Sequence, residues 1–255
     1  MSSSAITPLA TYADAALRDP SGYLTVAIPS DEWVAGWDLD TAIAVLFRAD
    51  FGLSLITLGE AAAVRRSWTD LVPLAAAAGQ EQIARATVPA EAADVVGFTS
   101  SNGWNWMATS TLPPLQPAED LVELVTDVEI INRFLDEANP DASTRPDDPE
   151  IVEWAGIADP DGGDRLLAIA ATTQWRSGAR VLVSVATRPD ARGRGLAGAV
   201  SAFLVRRTLA DGYPQACLGY YAHNGTAERV YERLGFEVRS RNVSGWLIDR
   251  PPRHG

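Results

Sequence analysis

An α/β fold is predicted for residues 120–250 of this 255-residue chain, on three observations. Strand-like and helix-like stretches follow one another there as strand, helix, three strands, helix, strand, helix and strands. Residues 192–198 make an arginine- and glycine-rich loop that opens into a long apolar-periodic helix. Upstream, STLPPLQPAED (110–120) is rich in proline and polar residues and has no apolar period. It reads as a linker, 110–119, behind an N-terminal domain of residues 1–109.

The C-terminal elements follow in order. DLVELVT (120–126) reads as a strand, and DVEIINRFLDEA (127–138) as a helix capped near Thr126 or Asp127. NPDASTRPDDP (139–149) is a loop or short helix. EIVEWAGIAD (150–159) and RLLAIAATTQW (165–175) are strands joined by the DPDGGD turn. RVLVSVAT (180–187) is a third strand. Residues 193–211 form a helix that ends at Asp211-Gly212. ACLGYYAH (216–223) is a strand, 224–234 a helix, and FEVRSRNVSGWLI (236–248) supplies one or two last strands. A tail, 251–255, is expected to be unstructured.

The N-terminal part is harder to read. Residues 38–49, 57–66 and the alanine-rich 68–88 have helical character, whereas LTVAIP (24–29) and ADVVGFTS (93–100) read as short strands. Trp104 and Trp106 occupy alternate positions and share one face of a strand. Core or interdomain packing is the plainer role for them, and an aromatic wall for a ligand is the alternative.

Composition narrows the function. No apolar run approaches the roughly 18 residues of a membrane span, and no signal peptide is visible at the N-terminus. One cysteine, Cys217, excludes a disulfide framework and fits a reducing cytoplasm. Two histidines and one cysteine make a structural zinc site improbable, and no metal is expected. A net charge of −12 argues against general nucleic-acid binding. That charge is uneven: residues 119–165 hold 15 acids and 3 arginines, whereas residues 166–255 hold 13 arginines and 6 acids. A basic third suits an anionic ligand, and its acidic neighbour suits a cationic one; solvated charged faces are the bland alternative. There is no lysine, which together with the alanine, arginine and aspartate richness points to a high-GC bacterium.

Arg192-Gly193-Arg194-Gly195-Leu196-Ala197-Gly198 carries the first chemical signal. Glycines let backbone approach a ligand closely. Amides at a helix start have no intrahelical acceptor, and the helix dipole favours an anion there. A pyrophosphate is the natural guest; an ordinary strand–helix turn is the alternative. GRGLAG lacks the spacing of a dinucleotide fingerprint, and the missing lysine excludes a Walker-type phosphate loop. The second signal is Asn224-x-x-Ala227-x-x-x-Tyr231-x-x-x-Gly235-Phe236. Asn224 is a good helix cap, and Tyr231, seven residues on, points the same way.

Together these motifs resemble the acetyl-CoA-binding core of the GCN5-related N-acetyltransferase (GNAT) superfamily over about residues 120–250. The resemblance implies a mixed central sheet with flanking helices, and it makes residues 1–109 either an unrelated, mostly helical accessory domain or a degenerate copy of the same fold. It implies that main-chain groups of Val185, Ala186 and Thr187 bind the pantetheine arm, and that the amides of 193–198, led in by Arg192, bind the pyrophosphate. It also implies that Asn224 and Ala227 border the cofactor and that Tyr231 protonates the departing thiolate. The alternative for Tyr231 is a core aromatic with its hydroxyl tied to backbone. The general base is less defined: RVLVSVAT has no acid, Ser184 is the polar side chain at its centre, and Glu153 is the best carboxylate, followed by Glu123. His223 and Cys217 suit structural roles better, and His254 lies in the tail. The expected function is transfer of an acetyl group from acetyl-CoA to a primary amine of a small molecule or protein, in the cytoplasm, with no nucleic acid or membrane partner. A homodimer is compatible with the chain. A non-catalytic acyl-CoA sensor and a transferase using a longer acyl chain are the rival readings.

Overall fold

The computed structural model describes residues 6–142 and 144–249, so the predicted tail and His254 lie outside the described residues. The chain divides into two units: Met1–Trp106 with Tyr221–His223 and Val238–Gly255, and Met107–Tyr220 with Asn224–Glu237. The first unit runs β1 (Thr7–Leu9), α1 (Tyr12–Arg18), α2 (Tyr23–Ala27), β2 (Trp33–Asp38), β3 (Ala42–Ala49), β4 (Gly52–Gly59), α3 (Ala61–Gly79), β5 (Ile83–Pro89) and β6 (Ser100–Thr109). Strands β1 to β4 pair antiparallel in sequence order, and β5 joins β4 in parallel. Downstream come β7 (Val122–Leu124), α4 (Val128–Ala138), β8 (Ile151–Ala158), β9 (Leu166–Gln174), β10 (Arg180–Thr187), α5 (Leu196–Ala210), β11 (Ala216–Tyr221), α6 (Gly225–Arg233) and β12 (Glu237–Trp246). Here β7 to β10 pair antiparallel in order, and β11 joins β10 in parallel.

The two units therefore repeat one architecture: three antiparallel pairings, then a helix crossover to a parallel strand. The N-terminal part is therefore not the mostly helical domain of the first alternative; its strand pairings are those that a copy of the second unit's fold requires. The misread stretch AIAVLFRA is strand β3, with five successive buried residues from Ala42 to Leu46. Its side chains alternate between two cores. Ile43 and Val45 pack with Ala15 of α1 and Leu24 of α2, while Ala44 and Leu46 pack with Val64, Trp68 and Leu71 of α3. A strand buried on both faces is continuously apolar, so its period of two disappears. Residues 57–59 likewise finish β4, and the alanine-rich run stops at Gly79, where β5 takes over.

LTVAIP errs in the other direction and lies largely in helix α2. Its β-branched content is overruled by Asp19, whose carboxylate accepts from the Leu24 amide at 2.7 Å and from the Ser21 amide at 2.8 Å. The predicted strand at 93–100 is mostly a 3-10 turn and loop leading into β6.

The boundary also moves. The first unit ends at Trp106, and β12, at the far end of the sequence, lies antiparallel to β5 and completes that unit's sheet. Residues 110–119 are no free linker. Arg206 of α5 donates to the Glu119 carboxylate at 2.6 Å and to the Pro113 carbonyl at 2.5 Å, and Glu119 accepts from the Gln116 amide at 3.0 Å. Trp104 and Trp106 both pack against Tyr23, tilted and edge-on respectively, with ring centroids 5.1 Å apart in each case. The Trp104 indole donates to Ser244 at 2.7 Å. They are core of the first unit, in agreement with the plainer expectation.

Candidate functional site

The candidate site is built on one irregular strand of the second unit. Strand β10 pairs with β11 only at Val181–Cys217 and Leu182–Leu218. On its other side, Val183 is in register with Ala171 and Ala186 with Ile169, so β10 spends two residues, Ser184 and Val185, where β9 spends one, Ala170. Such a bulge bends the strand and sharpens its twist. Ser184, inside the bulge, has φ +51°, a left-handed conformation for a non-glycine residue. Ser184 and Val185 are in register with neither neighbour. Strand pairing to β11 stops where the bulge begins, so beyond Leu182 the main chain of β10 has no register partner in β11.

At the end of β10 the chain is held by a buried guanidinium. Arg188 is 6% exposed and contacts Asp159 at 2.9 Å and Asp190 at 2.5 Å. Its hydrogen bonds and charge hold both carboxyls below the usual aspartate range. The Arg188 amide also donates to the Leu167 carbonyl at 2.9 Å. This residue was invisible in the sequence because Asp159 lies in a different hairpin. Its effect is to fix where the following loop begins.

The loop meets the requirements of an anion cradle. Gly193 and Gly195 both have φ +78°, where an L side chain would be strained. Gly195 is the N-cap of α5, and no side chain caps that helix. The Leu196, Ala197 and Gly198 amides at its first turn are thus uncapped by the protein, at the positive end of a four-turn helix. Arg192 and Arg194 flank the cradle and are exposed. Arg192 Nε donates to the Thr187 carbonyl at 3.3 Å, so of the Thr187 main-chain groups this one is occupied. The buried Thr187 hydroxyl, by contrast, has no hydrogen-bond partner among the described residues.

Helix α6 supplies the second half. Asn224 caps it, its side-chain oxygen accepting from the Ala227 amide at 3.1 Å. Tyr231 lies two turns along the same face, about 10 Å further. Its ring is 7% exposed and packs against Tyr220 and Phe236, with centroids 6.0 and 5.9 Å away. The predicted alternative, a hydroxyl tied to backbone, is not realised: among the described residues no group shares a hydrogen bond with it. Burial, and secondarily Tyr220, push the phenol above its ordinary pKa. It therefore stays protonated across the physiological range. Val230 of α6 and Gln116 both lie close to Gly198, where an added Cβ would come 4.0 Å from Val230 and 3.3 Å from the Gln116 side chain.

Glu153 is not brought to this group. Its carboxylate receives Arg207 Nε at 2.9 Å and Nη2 at 2.8 Å, three turns along α5 from the glycine loop. Glu123 is exposed on β7. The bulge, the loop and the α6 face therefore assemble without a carboxylate from either predicted position.

The first unit has the same strands without these features. Strand β4 pairs with β3 at all eight positions, with no bulge. Helix α3 starts two residues after β4 ends, with Glu60 as its N-cap instead of a glycine loop. The negative charge of Glu60 opposes an anion at that helix start, and a Cβ on Gly59 would come within 2.5 Å of the Thr41 carbonyl.

Residues 163–247 match a family model described as FR47-like protein. No curated protein matches the chain in sequence. Among solved structures, a GCN5-related N-acetyltransferase from Sphaerobacter thermophilus is 20% identical with a TM-score of 0.54, over 83% of this chain and 78% of that one. A GNAT-family acetyltransferase from Colwellia psychrerythraea is 11% identical with a TM-score of 0.52, over 95% and 99%. One from Novosphingobium aromaticivorans is 19% identical with a TM-score of 0.51, over 78% and 86%. At these identities the likeness is one of fold. The family-model match is confined to residues 163–247, and the likeness to the GNAT-family structures lies in the architecture of the sheet. Among the described residues no helix is long and apolar enough to cross a membrane.

Proposed function

We propose that the second unit is an acyl-CoA-dependent N-acyltransferase that moves an acetyl group to a primary amine. One observation carries the reading. A bulge that frees the β10 main chain leads directly into an uncapped, glycine-lined helix start, with the orphaned Thr187 hydroxyl between them. An extended pantetheine amide suits the first, a pyrophosphate the second. A CoA thioester supplies an electrophilic carbonyl and a thiolate leaving group. The chain's own contribution is positional and electrostatic. A main-chain amide near Val185 donates to the thioester oxygen. As the C–N bond forms and the C–S bond breaks, Tyr231 Oη gives its proton to the departing sulfur. The proton released by the acceptor nitrogen restores the phenol. Glu153 has no part, and the amine is delivered neutral.

The acceptor is read as cationic away from its reacting nitrogen. Among the described acids of residues 119–165, Glu119, Asp136, Glu137, Glu153 and Asp159 form ion pairs. That is a minority of the 15 in the sequence, so the segment keeps a negative field. Free-thiol release from acetyl-CoA, measured against a panel of primary amines, tests the reading. Amine-dependent release supports it. Tight CoA binding without release by any amine favours a non-catalytic sensor, and faster release from longer thioesters corrects the acyl group.

The contrast between the units sets the stoichiometry. With β3 and β4 paired without a bulge, no glycine loop and Glu60 at the helix start, the first unit is expected to bind no CoA. Calorimetric titration of the full chain should give one CoA per chain. A value of two would show that the sealed copy still binds.

A further inference from the structure

The residue in the bulge has a role beyond bending the strand. Ser184 Oγ donates to the Thr144 carbonyl at 3.0 Å. Thr144 belongs to the connection between α4 and β8, which crosses the face of the sheet that α4 covers. Ala142 in this connection and Val183 beside the bulge both pack on the core cluster of Ile131, Phe134 and Trp154. The connection is ordered on the α4 side by Arg145, which donates to Asp136 at 2.7 Å and to the Pro140 carbonyl at 3.2 Å. On the β10 side, the Ser184 hydroxyl is the side-chain hydrogen bond that ties it to the site.

We infer that Ser184 is a positioning residue that seats residues 144–149 against the splayed strand, as the wall past which the acceptor amine enters. This rests on the acyl-transfer reading above. Two properties of Ser184 support it. Its left-handed backbone is unfavourable for a non-glycine residue, so glycine would serve better if bending alone were required. What serine adds is the hydroxyl, and that hydroxyl is spent on the connection, not on β9 or β11. The bulge that frees the main chain for the donor thereby also fixes the distance to the acceptor wall.

The test uses the full chain and three variants. Ser184→Ala keeps the backbone penalty and removes the donor, Ser184→Gly removes both, and Ser184→Asn tolerates positive φ and keeps a donor. Loss of one hydrogen bond corresponds to about a 3- to 10-fold effect. The Ala and Gly variants are expected to raise the acceptor KM by about that factor, with the Kd for CoA within about twofold of wild type and with faster amide hydrogen exchange across 144–149. Asn should restore part of both. Parallel changes in acceptor KM and CoA Kd would reduce Ser184 to general support of the fold and overturn the inference. So would unchanged exchange in Ser184→Ala. If the wild type turns over no amine, the acyl-transfer reading fails, and the acceptor role of Ser184 fails with it. The exchange data then decide separately whether the hydroxyl anchors the connection.

Discussion

Tyr231→Phe is expected to lower kcat by about 100-fold or more, the usual contribution of a positioned proton donor, and to leave the Kd for acetyl-CoA within about twofold. The substitution removes one oxygen and keeps the ring. Packing against Tyr220 and Phe236 persists, and no hydrogen bond within the described residues is broken. The loss therefore reports chemistry. Burial raises the phenol above its ordinary pKa, and the sign of that shift makes a second expectation. A raised pKa means the proton is retained until the pH exceeds the ordinary value near ~10. Wild-type kcat should thus show no alkaline decline between about pH 8 and 10, and any acidic limb reports deprotonation of the acceptor amine. A decline in that interval that vanishes in Tyr231→Phe would contradict the environment described here. Equal losses of turnover and acetyl-CoA affinity would make Tyr231 a part of the cofactor site alone.

The legibility of the chain differs between its halves for a physical reason. In the second unit the helix α4 and strands β8 to β10 have clear boundaries, because capping residues and turn residues punctuate them. Asp127 caps α4 by accepting from the Glu129 and Ile130 amides at 3.0 Å. In the first unit β3 and β4 are buried on both faces and joined by a tight hairpin, so apolar content remains and periodicity is lost. Only the pairing partners distinguish such a strand from a buried helix. The exchange of β12 into the first unit's sheet could not be read from local sequence at all, since it is a property of which strands pair.

The site divides in the same way. Asn224, Tyr231 and the glycine loop were legible because their spacing is local. Arg188 and the Ser184–Thr144 contact were not, because each joins residues about 30 to 40 positions apart whose proximity depends on the completed sheet. The reverse error concerns Glu153. A lone acid among apolar strand residues suggests a base, yet Arg207 opposite it on α5 was unknowable from β8 alone. One signal for the bulge was present: a serine flanked by valines in an otherwise apolar strand. Nothing local said that its backbone is left-handed.

Gly195→Glu is expected to abolish measurable CoA binding, a loss of more than about 100-fold, for two separable reasons. The first is backbone. At φ +78° a side chain is strained, although a Cβ there meets no atom within 4 Å, so the cost is conformational and not a clash. A non-glycine residue in this region costs about 1–3 kcal/mol. The second is charge. A carboxylate about 5 Å from a phosphate, at an effective dielectric constant near 20, is opposed by about 3 kcal/mol, less at high salt. Gly195→Ala isolates the first contribution and Gly195→Gln adds bulk without charge. The expected order of CoA affinity is glycine, then alanine and glutamine, then glutamate well below both. The gap between glutamine and glutamate should narrow as salt is raised. Equal losses in Gln and Glu would place the phosphate away from the α5 N-terminus. Tight binding retained in Gly195→Glu would remove the loop from the cofactor site altogether, and with it the main support for a CoA ligand.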